Sequence, residues 1–301
     1  MKLHPTQLRR ARRSAWQLPA GLISVMAMMG NAHAIDVDAG DYTALPVGTN
    51  LGLLYYQHAE RDRIYSHGER VSGGKLTSDV GIARYVRYVN IGGYTATPQI
   101  LLPFGRLNGS DDLSALGRSS GVGDPILAAT VFLLNDQKNK RYFGITPYLY
   151  LPLGSYNKNR ALNLGENRWK FAVQAGYITP LSDRVTLDLV GDVMFFGKNA
   201  DYGPGGATLK QKPLFSTQAW LRYDVSDTFN LRAGLSHSFG GESKINGAAQ
   251  EDDTNTSKFS FGFGWLPAPA WQLIGTVGRD ISVRNGPMET SRVNLRLLKA
   301  F

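Results

Sequence analysis

The chain has 301 residues, a formal net charge of +9, 34 glycines and no cysteine. This length accommodates two ordinary soluble domains or one large β-barrel. The lack of cysteine excludes disulfides, thiolate metal sites and cysteine nucleophiles. No apolar run reaches the roughly 18 residues that a membrane-spanning helix requires. If this protein crosses a membrane, it must therefore do so with β-strands.

The first 34 residues have the layout of a bacterial Sec signal peptide. Five basic residues and no acidic one come first, an apolar core follows over residues 18–30, and Ala32-His33-Ala34 supplies a small-x-small cleavage site. A buried amphipathic helix is the alternative. We expect residues 1–34 to be removed on export, so that Ile35 begins the mature protein. Loss of the five basic residues lowers the net charge from +9 to +4, which removes the compositional support for nucleic-acid binding.

Residues 35–48 form an irregular segment, the leader, between the signal peptide and the first predicted strand. Asp36, Asp38 and Asp41 are spaced along it, but the other ligands of an EF-hand calcium loop are missing. We therefore expect the leader to be a solvated acidic segment in the periplasm that binds no metal ion.

From residue 49 onward, apolar and polar side chains alternate, which is the pattern of strands with one apolar face. The alternation is clearest in residues 258–265, where three phenylalanines and Trp265 share one face, and a serine and two glycines share the other. Twelve strands are predicted in this way, at approximately residues 49–60, 76–89, 94–104, 123–134, 141–152, 167–179, 184–196, 213–225, 228–239, 257–266, 270–281 and 290–301.

The connections between these strands alternate in length. Short ones are expected near residues 90–93, 135–140, 180–183, 226–227 and 266–269, long ones near 61–75, 105–122, 153–166, 197–212 and 240–256, and a medium one near 282–289. Outer-membrane barrels have short turns on the periplasmic side and long loops outside the cell. The sequence therefore predicts an all-β fold over residues 49–301: an antiparallel transmembrane β-barrel of about twelve strands in the outer membrane. A soluble β-sandwich is the alternative.

Aromatic residues lie toward the ends of the predicted strands. Barrels carry Tyr and Trp near both membrane surfaces, and we expect this position for Tyr55, Tyr56, Tyr88, Tyr142, Tyr177, Tyr223, Trp265 and Trp271. The chain ends on Phe301 with apolar residues alternating back from it, although Lys299 departs from that pattern. This ending resembles the C-terminal signal that the barrel assembly machinery reads. Outer-membrane lipid and lipopolysaccharide are the expected surroundings of the apolar exterior.

The mature chain has three histidines, His58, His67 and His237, and none has the local pattern of a lipid-deacylating barrel. Such enzymes pair a His with a Ser two residues away on the same strand face, so that the imidazole activates the hydroxyl. A glutamate or Phe239 takes that position here. We therefore predict that the protein is not an enzyme and uses no metal or cofactor. An esterase would need a Ser or Asn from a neighbouring strand beside a histidine on the outer wall.

The polar faces of the strands predict the inside wall of the barrel. Charges of both signs there can line a water-filled path that attracts anions, or can form internal salt bridges that fill a narrow barrel; both alternatives stay open. Trp220 is the inward side chain best suited to contact an aromatic solute. The candidate solute-binding residues of the lumen are Arg168, Lys170, Gln174, Asp188, Asp192, Gln218, Trp220, Arg222, Arg232, Arg292 and Arg296.

Several short motifs are distributed over most of the mature chain: Gly40-Asp41-Tyr42 with Pro46-Val47-Gly48-Thr49, Gly121-Val122-Gly123-Asp124-Pro125, Tyr150-Leu151-Pro152-Leu153-Gly154-Ser155-Tyr156, Leu164-Gly165-Glu166-Asn167-Arg168-Trp169, and the run from Gly176-Tyr177 to Leu187. In their order and spacing these motifs resemble the "MetA-pathway of phenol degradation" family of outer-membrane transporters. The resemblance implies an outer-membrane protein that is linked to the breakdown of aromatic compounds and admits such solutes. It implies no catalytic residue.

We therefore predict a porin-like channel that passes small hydrophobic or aromatic solutes across the outer membrane by facilitated diffusion. The main alternative is a non-transporting barrel whose loops act in adhesion or envelope organisation, and large inward side chains that plug the bore would favour it. An outer-membrane lipid esterase is the third possibility.

Overall fold

A computed structural model describes residues 37–301, which are mostly β-strand with one 3-10 helix at Asp111–Leu116. The predicted signal peptide lies outside the described residues. Between residues 37 and 301, no helix is long and apolar enough to cross a membrane.

Twelve long strands form one sheet, and each of them overlaps one of the twelve predicted strands. In chain order they are β1 Asn50–Ser66, β2 Lys75–Arg87, β3 Tyr94–Ser110, β4 Ile126–Asp136, β5 Arg141–Tyr150, β6 Lys170–Pro180, β7 Val185–Phe196, β8 Leu214–Ser226, β9 Phe229–Gly240, β10 Thr254–Ala268, β11 Trp271–Val283 and β12 Gly286–Ala300.

Each strand pairs antiparallel with its neighbours in the sequence, and the last strand pairs with the first. The register of that closing pair runs from Leu51 opposite Ala300 to Tyr65 opposite Gly286. Closure leaves no unpaired sheet edge, so the backbone polar groups of the wall are bonded within the protein, as hydrocarbon surroundings demand. The structure thus confirms the antiparallel twelve-stranded barrel.

The barrel has two distinct ends. One, which we call the turn end, holds residue 50, Phe301 and five short connections; the other, the loop end, holds the longer ones. The prediction of a connection of medium length near residues 282–289 is wrong. Only residues 284–285 separate β11 from β12, because β11 continues along β10 while β12 continues along β1. The loops predicted at 61–75 and 105–122 are also largely strand, since β1 and β3 extend to Ser66 and Ser110.

Most of the remaining loop-end segments are folded rather than irregular. Short strands at Glu69–Ser72 and Arg118–Val122 pair with β1 and β3. A separate four-stranded sheet covers part of the loop end, and its strands are Asn199–Tyr202, Ala207–Gln211, Ser243–Ile245 and Ala248–Ala249. A further short strand, Val89–Ile91, forms a hairpin with β3 at the turn end.

The barrel wall is apolar on the outside and polar on the inside, which is the opposite of a soluble protein. Large apolar side chains are exposed on the outside, for example Leu235 at 61%, Val277 at 53% and Phe261 at 50%, while many polar and charged side chains are buried inside. This alternation is typical of a barrel with a lipid-facing exterior. Three aromatic residues predicted for the membrane surfaces, Tyr55, Tyr88 and Tyr142, point inward instead: the last two are buried in an internal cluster, and the hydroxyl of Tyr55 accepts a hydrogen bond from the buried Arg84.

Candidate functional site in the barrel lumen

The leader lies inside the barrel, so the expectation of a solvated acidic segment is wrong for residues 37–44. Val37, Ala39, Tyr42 and Ala44 are each at most 6% exposed. The backbone turns tightly, because Asp41 N donates to the Asp38 carbonyl at 3.1 Å and Thr43 N donates to the Gly40 carbonyl at 3.0 Å. The sequence did not predict this placement, because acidic residues are expected in solvent unless the arginines of the wall that pair with them are known.

Tyr42 anchors the leader in a slot in the wall. The slot exists because Gly144 on β5 and Gly176 on β6 are directly paired: a Cβ atom on Gly176 would collide with the Tyr42 ring, and one on Gly144 would lie only 3.1 Å from it. At the far end of the ring, the hydroxyl lies 2.9 Å from Thr146 Oγ1 and donates to Gln174 Oε1 at 3.1 Å. Burial of such a side chain contributes roughly 1.5–3 kcal/mol, and its polar end is fully bonded.

The acidic side chains of the leader pair with arginines of the wall. Asp41 forms ion pairs with Arg296 and, at 3.2 Å, with Arg84. Asp38 lies 3.0 Å from Arg296 Nη1. Carboxylates that are desolvated in this way remain charged only next to cations. The leader therefore supplies the counter-ions of Arg84 and Arg296.

Three further contacts hold the leader backbone against β7, β8 and β9. Gly40 N donates to Asp188 Oδ2 at 2.6 Å, and the Ala39 carbonyl accepts from Arg232 Nη1 at 3.2 Å. Val37 N donates to Gln218 Oε1 at 3.2 Å. The leader is thus bound to opposite sides of the wall and narrows the lumen.

A cavity of about 450 Å³ remains between the leader and the wall toward the turn end. Four arginines line it, Arg84, Arg222, Arg232 and Arg296, and so does a group of apolar side chains, Leu45, Leu51, Leu53, Val86 and Leu298. Trp271 lies at its rim. A space of this composition can hold a small molecule that is apolar over most of its surface and polar or anionic at one point.

A second charged cluster fills the lumen toward the loop end. Glu289 of β12 is 1% exposed and forms ion pairs with Arg61, Arg292 and Lys258. Asp280 of the adjacent strand accepts a hydrogen bond from Glu289 N at 2.7 Å. A cavity of about 40 Å³ is bounded by Trp220, Lys258 and Arg292. Three cations and two carboxylates meet here, so the charges offset one another in part.

The connection at residues 151–169 closes over the loop end through two buried carboxylates. Burial raises the pKa of Glu166, but Lys170 and Arg168 outweigh that effect and lower the pKa to about 2. Burial raises the pKa of Asp124, which accepts hydrogen bonds from Gly154 N and Glu166 N, each at 3.0 Å. Two of the motifs that resemble the family, around Asp124 and Glu166, therefore fold against each other.

Ten of the eleven predicted lumen residues are 9% exposed or less, and the eleventh, Arg222, has an 18% exposed side chain. They do not form one site. Arg222, Arg232 and Arg296 line the cavity, and Asp188 pairs with Arg222 beside it. Gln174 and Gln218 hold the leader. Arg168, Lys170 and Arg292 belong to the loop-end clusters. Asp192 is buried on β7 opposite Gln174 and Ser216.

Trp220 does not line the large cavity. It is 9% exposed and stands directly opposite Gly234, and its ring fills the space that a Cβ atom there would occupy. Its neighbours around the small cavity include Val37 and Asp38 of the leader. Trp220 therefore packs against the wall and the leader, away from the space that could admit an aromatic solute.

Arg61, Arg84 and Tyr55 are important lumen residues that the sequence analysis missed. Arg84 Nη1 donates to Tyr55 Oη at 2.9 Å as well as to Asp41, and Arg84 Nε donates to Gln99 Oε1 at 2.8 Å. All three lie on β1 and β2, where the inward face also carries leucine and valine. A signal was present, because an arginine two residues from Val86 on the same face of β2 needs an internal partner.

The outer wall brings one histidine beside a serine, as the esterase alternative requires. His237 Nδ1 lies 3.0 Å from Ser257 Oγ on the next strand, and the imidazole stacks on Phe239. The two residues are directly paired on the outward face. Within residues 37–301, no group of three or more His, Cys, Asp or Glu side chains could hold a metal ion.

A closed antiparallel barrel with an apolar exterior and a charged, partly open lumen defines an outer-membrane channel fold. The model of the family described as "Putative MetA-pathway of phenol degradation" matches residues 60–297, and the chain belongs to this family. It is also similar to the COG4313 outer membrane channel from Pseudomonas putida F1, with 43% sequence identity and a TM-score of 0.86 over 88% of this chain and 100% of that chain. These matches confirm the predicted family and support the outer membrane as its location.

More distant structures share only the fold. The transport unit of the autotransporter AIDA-I from Escherichia coli has a TM-score of 0.51 at 9% identity, over 93% of this chain and 97% of that chain. The β-domain of the Bordetella autotransporter BrkA has a TM-score of 0.51 at 10% identity, over 83% and 99%. No curated protein matches the sequence.

Proposed function

We propose that this channel passes small hydrophobic or aromatic solutes across the outer membrane, in connection with the breakdown of aromatic compounds, and that it is not an enzyme. The observation that carries the proposal is the cavity of about 450 Å³ inside the closed barrel, lined by arginines and by apolar side chains. The membership of a phenol-degradation family supports the class of solute.

The wall of this cavity suits transient binding better than tight capture. Leucine and valine side chains replace the water around an aromatic ring, while guanidinium groups offer hydrogen bonds to a hydroxyl or an anion. Conduction requires binding that is strong enough for entry and weak enough for release. The leader forms one side of the cavity, and so its position sets the width of the path.

Single-channel current across a planar bilayer tests the proposal. The refolded mature protein should give discrete current steps in potassium chloride, and benzyl alcohol should interrupt them briefly from one side. A variant that lacks residues 37–45 should give larger steps, because the leader no longer narrows the lumen. Absence of steps from both proteins, each folded as a heat-modifiable barrel, would contradict the channel function.

The exterior and the chain end give two further expectations. We propose that outer-membrane lipid and lipopolysaccharide cover the exposed apolar band, and that the barrel assembly machinery reads the end of the chain at Phe301. Deletion of Phe301 should then lower the amount of folded protein in the outer membrane without abolishing refolding of the purified chain into detergent.

The filled lumen favours one alternative, a barrel that does not transport. The leader and the Glu289 cluster occupy much of the bore. Under this alternative the variant that lacks residues 37–45 conducts while the full mature chain stays silent, at every voltage and with every aromatic solute added.

The contact between His237 and Ser257 favours the esterase alternative, because an imidazole within hydrogen-bond reach of a serine can activate it as a nucleophile. Release of fatty acid from phospholipid vesicles that contain the protein measures this activity. Loss of activity in Ser257→Ala, with Ser282→Ala as a control on the neighbouring strand, would establish it; release no greater than from protein-free vesicles would remove it.

A further inference from the structure

Two arginines face each other across neighbouring strands in the lumen. Arg222 on β8 and Arg232 on β9 are paired in direct register, and both side chains line the cavity at the turn end. Like charges in directly opposed positions destabilise a sheet unless an anion lies between or beside them. The stability of the pair therefore depends on the carboxylates around it.

The carboxylate available to this pair reaches only one of its members. Asp188 Oδ1 accepts from Arg222 Nη2 at 2.8 Å. Arg232 has neutral partners: its Nε and Nη2 donate to Asn230 Oδ1 at 3.3 and 2.7 Å, and its Nη1 donates to the Ala39 carbonyl. In the described chain no carboxylate forms an ion pair with Arg232. In addition, Nε of Arg222 is buried and has no hydrogen-bond partner.

The arginines of the cavity outnumber the carboxylates that pair with them. Four arginines line it, and three carboxylates pair with them: Asp41, which also lines the cavity, Asp38 and Asp188. Asp38 and Asp41 pair with Arg296 and Arg84, and Asp188 pairs with Arg222, so that one positive charge is left over. Arg232 is the one of the four arginines for which the described residues provide no ion pair. A buried charge without an opposite charge is costly, and so this position favours a single added anion.

We propose that Arg222 and Arg232 form a binding site for the carboxylate of an apolar monocarboxylic acid with a single aromatic ring. The proposal rests on the channel function above and names the solute class. Two guanidinium groups offer paired N–H donors to a planar carboxylate. The excess of one charge selects a monoanion, and the leucine and valine side chains on the opposite side of the cavity accommodate the ring.

The same two arginine positions also hold the leader, which links binding to the width of the path. Arg232 binds the Ala39 carbonyl, and Asp188, the partner of Arg222, binds Gly40 N. A carboxylate is a stronger acceptor for a guanidinium than a neutral carbonyl is. An acid that binds here takes the place of the Ala39 carbonyl at Arg232 and loosens the leader at residues 39–40.

Isothermal titration of the refolded mature protein with benzoate and with benzamide tests the site, because the two ligands differ mainly in charge. We expect benzoate to bind about tenfold or more tightly than benzamide, as a charge-assisted hydrogen bond requires. Arg232→Gln and Arg222→Gln should each remove most of this preference, while Arg232→Lys, which keeps the charge, should retain part of it. Arg279→Gln removes a charge from the outer wall and should bind benzoate like the unmodified protein.

Three results would overturn the proposal: equal affinity for benzoate and benzamide, unchanged benzoate affinity in both glutamine variants, or binding of acetate as tightly as benzoate. Each variant is first checked for heat-modifiable migration, and Arg232→Lys provides the comparison if Arg232→Gln does not fold. Current steps without charge-dependent benzoate binding would refute this site and leave the channel function intact. Benzoate binding by a protein without current steps would refute the channel function and leave the site.

Discussion

The two ends of the lumen carry the same kinds of charged side chain but obtain their counter-ions from different sources. At the loop end, Glu289 of the barrel wall forms ion pairs with two arginines and a lysine of the same wall. At the turn end, Asp38 and Asp41 of the leader neutralise Arg84 and Arg296. The loop-end counter-ion is part of a strand, whereas two of the three turn-end counter-ions lie on the leader and only Asp188, the partner of Arg222, lies on a strand.

The ion cluster at the loop end therefore contributes to the stability of the wall, whereas the ion pairs at the turn end leave a space that a solute can enter. A carboxylate fixed in a closed sheet stabilises the wall itself, and two of the partners of Glu289, Lys258 and Arg292, bound a cavity of only about 40 Å³. Carboxylates on a leader stabilise its docking, and they leave behind an open, arginine-rich cavity.

Glu289→Gln should destabilise the barrel by about 3–5 kcal/mol, because removal of one partner from a buried ion cluster leaves uncompensated charge. Three cations, Arg61, Lys258 and Arg292, lose their shared carboxylate. Urea unfolding in detergent, followed by heat-modifiable migration, measures the change. Glu251→Gln, at an exposed carboxylate, should leave the midpoint unchanged. An equal midpoint for Glu289→Gln would show that the cluster does not stabilise the wall.

Asp41→Asn should weaken docking of the leader by about 1.5–3 kcal/mol, the value of hydrogen bonds to charged groups, and leave the barrel intact. The chain has no cysteine, so Ala44→Cys provides a single labelling site in the buried leader. Its reaction rate with a maleimide should rise in the Asp41→Asn background. Asp136→Asn, at an exposed turn, is the matched control; equal rates in the two backgrounds would mean that the ion pairs do not hold the leader.

Gly176→Ala should displace Tyr42 from its slot at a cost of about 1–3 kcal/mol, which is typical of overpacking. The added methyl group meets the Tyr42 ring. The same cysteine at position 44 reports the displacement. Gly191→Ala is the control on the next strand, since a Cβ atom there has one neighbour, at 3.9 Å. Faster labelling in both variants, or in neither, would contradict the slot.

Acidification should loosen the loop at residues 151–169 with a small effect that depends on Glu166. The pKa of Glu166 is about 2 in the folded protein, against an ordinary value of 4.5. Between pH 2 and pH 4.5, the folded protein therefore binds fewer protons at this residue than the unfolded chain does. The contribution to stability is therefore complete above pH 4.5 and is lost as the pH falls toward 2. Protease cleavage within the loop measures this, and in Glu166→Gln the rate should no longer rise with acidification over that range; the Asp124 carboxyl, whose pKa is raised in the folded protein, works in the opposite direction.

The sequence by itself determined the class of fold. Alternation over β8 to β12 depends only on the period of two in a strand, so residues such as Phe261 and Val277 could be placed outside without knowledge of their neighbours. The same parity placed Arg222, Arg232 and Arg292 inside. It failed on β1 and β2, where Tyr55 and Arg84 share the inward face with leucine and valine and the polar pattern is weak.

Only the tertiary structure decided what the inside of the barrel contains. Tyr42 meets Gln174 across 132 positions of sequence, and Asp41 meets Arg296 across 255. Whether the leader remains outside or enters the lumen depends on these long-range contacts and on a slot formed by two glycines that are adjacent only in the closed sheet. Alternation is a local property that each strand carries in its own residues, whereas the fit of the leader and the unmatched charge of Arg232 arise only when all twelve strands close.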